Sequence, residues 1–107
     1  MDTDERAAYV ETVLRLVEAI PPGRVMSYGA VADLVGGGGP RQVGQVMARH
    51  GGGVPWWRVV RADGTLPVSH GRRAHEHYQR ESTPLAGDAR IDMRRARWTP
   101  HSVGGVC

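Results

Sequence analysis

The chain has 107 residues, with a hydrophobic content of 40% and a charged content of 23%. This length fits one domain with a single modest core and leaves no room for a second domain of ordinary size. The formal net charge is +3, and all 14 basic residues are arginine. Arginine suits bidentate recognition of phosphates and bases better than lysine does, so a polyanionic partner is expected.

The charge is unevenly distributed along the chain. Residues 1–20 contain five acidic and two basic residues, a balance of −3, whereas residues 21–61 contain five basic residues and one acidic residue, a balance of +4. An exposed basic face over the second stretch favours nucleic acid as a partner. A solvated surface without a partner is the alternative.

Several classes of protein are excluded by composition. Cys107 is the only cysteine, so neither an intramolecular disulfide nor a cysteine-based zinc cluster can form. The acidic N-terminus lacks the apolar segment of a signal peptide, and no apolar run reaches the length of a membrane span. A soluble protein of the cytoplasm, associated with the nucleoid if bacterial, without membrane partners or cofactors, is expected.

The first predicted element is an amphipathic helix over residues 4–20. Apolar residues recur at helical spacing, and these are Val10, Val13, Leu14 and Val17. Pro21-Pro22-Gly23 ends the helix. An extended piece follows at residues 24–26.

A helix-turn-helix is predicted next. Ser27 is a good N-cap for a helix from Tyr28 to Val35, which the four-glycine run at 36–39 ends. Pro40 suits the first turn of a further helix, from Arg41 to His50. Three apolar residues form the buried edge of that helix: Val43, Val46 and Met47. Its outward side carries Arg41, Gln42, Gln45 and Arg49, a pattern typical of a DNA-binding helix.

The rest of the chain predicts a small β wing and a polar helix. Residues 58–61 are predicted to form a strand, and the Asp63-Gly64 turn favours a hairpin after it. A helix over 70–82 would use Tyr78 as an anchor. From Thr83 an irregular segment pinned by Trp98 is expected, with residues 99–107 frayed. The predicted fold is therefore mainly α with a small β wing, a winged helix-turn-helix forming one domain over residues 1–107.

Metal and nucleophile sites are not favoured. His70, His75 and His77 could suggest a metal site, but a spacing of two places His75 and His77 on different helix faces, which favours surface histidines. Cys107 is terminal and has no neighbouring base, which argues against a catalytic thiol.

The adjacent indoles of Trp56 and Trp57 need an explanation. One is core packing, because tryptophan has a large apolar surface. The other is a flat wall on which a planar ligand such as a nucleobase stacks.

Four blocks, in the same order, closely resemble the DNA-binding domain of O6-alkylguanine-DNA alkyltransferases: residues 20–29, 41–44, 55–60 and 63–66. Relative to the enzymes, two residues are missing between the helix that ends at His50 and Pro55. The resemblance covers about residues 8–66. In the repair enzymes of that family the third of these blocks reads Pro-Cys-His-Arg-Val, and its cysteine accepts the alkyl group. Here Trp56 stands at the position of the cysteine and Trp57 at that of the histidine. Neither indole can act as a nucleophile or a general base.

This replacement, in so small a chain, resembles the alkyltransferase-like proteins, which bind the lesion without repairing it. The resemblance implies a monomeric, non-enzymatic sensor that binds double-stranded DNA through the minor groove. The sensor would flip an O6-alkylguanine out of the duplex, and it would mark the lesion for nucleotide excision repair proteins.

The resemblance also implies roles for single residues. Arg41 matches the arginine finger that fills the gap left by the flipped nucleotide. The predicted lesion pocket consists of Trp56, Tyr28, Arg58 and Ser69. The predicted DNA-contacting residues are Ser27, Gln42, Gly44, Gln45 and Arg49.

Simpler explanations remain for several of these residues. Arg41 would then contact only a phosphate, Tyr28 would be a half-buried aromatic residue at a helix start, and Gly44 would serve helix packing. Trp57 departs from the family pattern, and a core anchor is favoured over a ligand contact there.

Two other functions fit parts of the sequence. A sequence-specific winged-helix regulator would present a similar basic helix, although it would read the major groove. An active transferase would have to use Cys107.

Overall fold

A computed structural model describes residues 3–66, 70–87 and 90–100 of the chain. The described part is mostly helical, with one sheet of two short strands. In chain order the elements are α1 (Thr3–Ala19), β1 (Met26–Ser27), α2 (Tyr28–Val35), α3 (Pro40–His50), β2 (Val59–Val60), α4 (Gly71–Glu81) and α5 (Met93–Ala96). Single turns of 3-10 helix at Gly51–Gly53 and Trp56–Arg58 lie between α3 and β2.

Helix α1 confirms the predicted amphipathic helix to within a residue at each end. Val13 and Val17 are fully buried, and Ile20, directly after the helix, is 1% exposed. Pro21 and Pro22 follow at once and cannot continue the helix. The apolar stripe is thus the side by which α1 packs on the rest of the domain.

The helix-turn-helix is formed by α2 and α3; α2 has the predicted bounds, and α3 begins one residue earlier than predicted, at Pro40. The Ser27 hydroxyl accepts a 3.1 Å hydrogen bond from the Ala30 backbone N–H, which caps α2. Gly36 ends the helix with a φ of 82°, a left-handed conformation that glycine adopts without steric cost. Pro40 occupies the first turn of α3, where its missing N–H costs nothing.

The sheet is not the hairpin that the Asp63-Gly64 turn suggests. Strand β2 pairs in parallel with β1, and Val59 lies opposite Met26. The turn itself is formed, but the residue after it, Thr65, bridges Arg90 in antiparallel orientation. The hairpin prediction is wrong because the chain on either side of the turn finds distant partners: β2 pairs with β1, and Thr65 pairs with Arg90.

The segment after residue 82 is more ordered than expected. Leu85 bridges Ile91, and Asp92 caps the short helix α5 by accepting a hydrogen bond from the Arg95 N–H. The expectation of a wholly irregular segment is therefore wrong. Trp98 packs against the core around α1–α3, as predicted. Residues 101–107, including most of the tail predicted to fray, lie outside the described part.

Two apolar clusters lie on the two sides of the sheet. Met26 and Val59 belong to the cluster formed with α1, α2 and α3, whereas their neighbours Val25 and Val60 belong to a second cluster. This alternation is the two-residue period of extended chain. The second cluster is completed by Ala74, Tyr78, Ile91 and Ala96, so α4 and α5 pack on the far side of the sheet. Across the described residues, no helix combines the length and apolar character that crossing a membrane requires.

Candidate nucleic-acid interface

The outward side of α3 carries the predicted DNA-contacting side chains. All four of the predicted polar residues are exposed, namely Arg41, Gln42, Gln45 and Arg49. Gly44 lies on the same helix, and a Cβ built there meets no atom within 4 Å in the described structure. Helix packing therefore does not require glycine at this position, and the backbone of α3 is open to close approach from outside.

Beside α3 lies an open cavity of about 380 Å³. Helix α3, the turn at Trp56–Arg58 and the start of α4 contribute to its wall. The lining residues are Tyr28, Gly44, Met47, Ala48, Gly51, Gly52, Trp56, Trp57, Val59, His70, Arg73, Ala74 and Tyr78. The structure thus brings together two of the predicted pocket residues, Trp56 and Tyr28, although they are 28 positions apart in the sequence.

Trp56 is half-buried and held by rings on several sides. Its indole meets the Trp57 indole and the His77 imidazole edge to face, with ring centroids 5.6 and 5.9 Å away, and its centroid lies 5.8 Å from that of the His70 ring. The Arg73 guanidinium lies 5.9 Å from the centre of the Trp56 ring. Trp56 is therefore a supported wall of the cavity.

Trp57 is anchored by a carboxylate of α4. Its indole N–H donates a 2.9 Å hydrogen bond to Glu81 Oε2, and its ring stacks on His77 with centroids 3.5 Å apart and planes 5° from parallel. Its backbone carbonyl accepts a 2.7 Å hydrogen bond from the Tyr78 hydroxyl. These contacts agree with the prediction of a core anchor, although one edge of the ring also borders the cavity.

The same carboxylate binds Arg58, and this corrects the prediction that Arg58 lines the pocket. Arg58 donates from Nε and Nη2 to Glu81 and from Nη1 to the Ile20 carbonyl, and the two charged side chains are only 13% and 10% exposed. Gly23 N–H adds a further hydrogen bond to Glu81. Because its guanidinium is bound to these acceptors, Arg58 stabilises the turn at Trp56–Arg58 from the side away from the cavity and does not line the cavity.

Electrostatics favour the ionised form of Glu81. Burial alone would raise the pKa of this carboxyl group, but hydrogen bonds from Arg58, Gly23 and Trp57 together with the Arg58 charge lower it overall. Burial is also the main reason why the pKa of His77 is lowered, which favours the neutral ring that stacks on Trp57.

The other predicted site residues lie as follows. Arg41 is exposed in the first turn of α3, where a finger would have to start. Ser27 lies at the α2 N-terminus with its oxygen engaged in the cap. Ser69 lies outside the described residues, whereas its neighbour His70 borders the cavity.

A second hollow, of about 320 Å³, lies between α1 and α3. Its walls carry Arg6, Tyr9, Val10, Gln42, Gln45, Val46, Arg49 and His50. Gln42 and Arg49 are on the other side of α3 from Gly44 and Met47, which border the first cavity. The exposed side of α3 is therefore a ridge between two hollows, a shape that suits insertion into a groove.

The family model described as the DNA binding domain of 6-O-methylguanine DNA methyltransferase matches residues 8–83. The chain belongs to this family. A relative from Escherichia coli (strain K12), named DNA base-flipping protein, is 35% identical over 100 residues, which cover 89% of this chain and 78% of that protein. A relative of the same name from Vibrio parahaemolyticus is 26% identical over 98 residues, which cover 86% of this chain and 97% of that protein.

Solved structures agree with this membership. The chain superposes on S. pombe Atl1, in complex with damaged DNA containing O6-carboxymethylguanine, with a TM-score of 0.78 and 29% identity; the match covers 94% of this chain and 100% of Atl1. The match to a variant of the M. tuberculosis O6-methylguanine methyltransferase has a TM-score of 0.55 and 27% identity, and it covers 82% of this chain and 54% of that one. The predicted fold and family are thereby confirmed.

Several cavity residues were not predicted as site residues. Met47 was assigned to the buried edge of α3, and Arg73 and Ala74 to a polar helix, yet all three line the cavity. His77 was expected at the surface and instead stacks on Trp57. Within the described residues no histidine, cysteine or carboxylate cluster has the arrangement of a metal site. The sequence did contain a signal for this face of α4. Arg73, Ala74 and His77 are three and four positions apart, and residues at that spacing share one side of a helix.

Proposed function

We propose that this chain is a DNA damage sensor that binds O6-alkylguanine in double-stranded DNA without removing the alkyl group. The observation that best supports this proposal is the cavity walled by Trp56 and Tyr28, which lies directly beside the exposed ridge of α3. Its volume of about 380 Å³ lies within the range of small-molecule sites, about 300–1,000 Å³. Relatives named for base flipping, and Atl1 bound to damaged DNA, support this reading.

In the proposed complex α3 lies in the minor groove. Gly44 lets the backbone approach the duplex, and the neighbouring polar side chains contact sugars and phosphates, contacts that fix position without reading sequence. A guanine modified at O6 pairs poorly, which lowers the cost of extruding it. Arg41, exposed at the start of α3, would fill the vacated place in the stack. The flipped base would then stack on Trp56.

Dealkylation is not expected because no cysteine thiol lies among the described residues that line the cavity. We propose that Trp56 and Trp57 replace the cysteine and histidine of the active enzymes. The Trp57 N–H is already committed to Glu81, and an indole has no lone pair available as a general base. Cys107, which an active transferase would need, lies outside the described residues.

The consequence of binding would be to mark the lesion. Because no reaction follows, a bound sensor protects the adduct until other proteins act, and we propose that these belong to nucleotide excision repair. A monomer acting in the cytoplasm, or at the nucleoid of a bacterium, fits this role.

The test is a comparison of duplexes that differ only in one guanine. Dissociation constants for O6-methylguanine and guanine duplexes are measured at one fixed salt concentration and in two sequence contexts. Tighter binding of the methylated duplex in both contexts is expected. A sequence-specific regulator would instead follow the context and ignore the methyl group, and that result would refute the sensor.

Two variants separate the proposed roles on α3. Arg41→Ala should weaken binding of the lesion duplex more than of the plain duplex, whereas Arg49→Ala, a matched exposed arginine of α3, should weaken both equally. Trp56→Ala should reduce lesion preference by about 1–3 kcal/mol, the contribution of stacking on one base. Mass spectrometry of the protein after incubation with methylated DNA should find no methyl adduct, and an adduct would contradict the non-catalytic role.

A further inference from the structure

We infer that the cavity selects O6-adducts that end in an anionic group, and that Arg73 makes this selection. The inference rests on the proposed function, since it concerns the adduct carried by the flipped base. It adds a specificity rule: among adducts of equal size, the negatively charged one binds more tightly. Arg73 is thus assigned as a specificity-determining residue.

The charge of the cavity wall is the first observation. Its described lining is apolar and aromatic apart from a few polar groups, and it contains Arg73 and no aspartate or glutamate. Glu81, which approaches from behind Trp57, is neutralised by Arg58 and saturated by four hydrogen bonds. An anion entering the cavity therefore meets a cation without meeting an uncompensated carboxylate.

The position of Arg73 is the second observation. It stands in the first turn of α4, and its guanidinium lies 5.9 Å from the centre of the Trp56 ring. Within the described part of the chain the salt bridges are Arg15–Glu11 and Arg58–Glu81, so neither occupies this guanidinium. The guanidinium lies over the Trp56 indole and forms no ion pair among the described residues, so the O6 substituent of a base that binds against Trp56 would lie next to it.

The N-terminus of helix α4 also favours an anion in the cavity. It has 11 residues, and its first turn contains no acidic residue. His70, Arg73 and Ala74, at and within that turn, all line the cavity, so the positive end of the helix dipole borders it. The dipole and the guanidinium together stabilise negative charge at the same wall.

The physical consequence is a difference between adducts of one shape. A carboxylate accepts two charge-assisted hydrogen bonds from a guanidinium, whereas a carboxamide of the same shape accepts fewer and carries no charge. Because the Arg73 side chain is exposed, water screens part of this gain. We expect binding of the anionic adduct to be about three- to tenfold tighter.

The experiment uses four duplexes of one sequence, with guanine, O6-methylguanine, O6-carboxymethylguanine or O6-carbamoylmethylguanine at one position. The last two differ in charge and hardly in size. Dissociation constants are measured for the wild-type chain and for Arg73→Gln, Arg73→Lys and Arg72→Gln. Arg72 is the matched control, since it is exposed in the same turn but does not line the cavity.

The wild type should prefer the carboxymethyl adduct over the carbamoylmethyl adduct. Arg73→Gln should abolish this ratio, Arg73→Lys should keep part of it, and Arg72→Gln should leave it unchanged while lowering all affinities slightly. The ratio should also fall as salt is added. Equal wild-type binding of the two adducts, or an unchanged ratio in Arg73→Gln, would overturn the inference.

The guanine and O6-methylguanine duplexes separate this inference from the sensor proposal. If O6-methylguanine is still preferred over guanine while the charge effect is absent, only the role of Arg73 fails. If no modified duplex is preferred over guanine, the sensor proposal fails, and the specificity rule fails with it. The comparison of the carboxymethyl and carbamoylmethyl duplexes with the wild-type chain tests the preference for an anionic adduct even if a variant does not fold.

Discussion

Replacing Glu81 with glutamine should cost the domain a large part of its stability, although the two side chains have nearly the same size. Each of the two carboxylate oxygens accepts two hydrogen bonds. Oε1 accepts from the Gly23 N–H and from Arg58 Nε, and Oε2 accepts from Trp57 Nε1 and Arg58 Nη2. A glutamine side chain supplies one carbonyl oxygen and one NH₂ group. In either orientation of the amide, two donors therefore lose their acceptor and face N–H groups instead.

The magnitude follows from those two lost hydrogen bonds. Each buried donor left without an acceptor costs about 1–3 kcal/mol, and one of the two always belongs to charged Arg58. The side chains of Arg58 and Glu81 are 13% and 10% exposed, so water relieves little of the loss. We expect the free energy of unfolding to fall by about 3 kcal/mol, which lowers Tm by on the order of 15 °C for a domain of this size.

Thermal unfolding followed by far-UV circular dichroism, with urea unfolding for the free energy, measures the effect. Glu76→Gln is the control, because Glu76 is exposed on the same helix and its loss changes the net charge equally. That variant should change the free energy of unfolding by less than about 0.5 kcal/mol. Equal losses in the two variants would refute the view that the Glu81 carboxylate holds the turn at Trp56–Arg58 in place.

Acid should reproduce the Glu81 effect. Because the folded-state pKa of Glu81 lies below its ordinary value of 4.5, its contribution is complete above that pH and is lost as the pH falls through the folded-state pKa. The Tm difference between wild type and Glu81→Gln should therefore shrink below about pH 4.5, and a constant difference would contradict this linkage. Gly44→Ala should raise the free energy of unfolding by about 0.5–1 kcal/mol, since helical glycine is unfavourable and the site is open, while it weakens DNA binding. Loss of stability in that variant would mean that packing requires the glycine.

The elements predicted from the sequence are those whose signals are local. Ser27 caps α2, Pro40 begins α3, and prolines follow α1; each signal lies within one turn of the boundary it sets. Apolar spacing then determines which side of each helix is buried. Burial of Val43 and exposure of Arg41 could both be predicted in this way, before any partner was known.

The predictions that failed depend on distant partners. Strand β2 pairs with a strand 33 positions earlier, and Thr65 pairs with a residue 25 positions later, so a local hairpin pattern was misleading. Arg58 was predicted to line the lesion pocket together with Trp56. Its orientation is set by Glu81 on α4, and no pattern near residue 58 contains that information.

The two adjacent tryptophans have different roles in the turn at Trp56–Arg58: Trp57 anchors the turn, and Trp56 lines the cavity. In a 3-10 turn successive side chains point about 120° apart, so neighbours in sequence meet different surroundings. Trp57 is held by contacts with Glu81, His77 and Tyr78. Trp56 packs edge to face against the Trp57 ring and forms part of the cavity wall. The groups that hold this wall are therefore not groups that would react with a lesion. On the proposed function, a chain with Trp56 in place of the nucleophile would keep a supported surface for the flipped base.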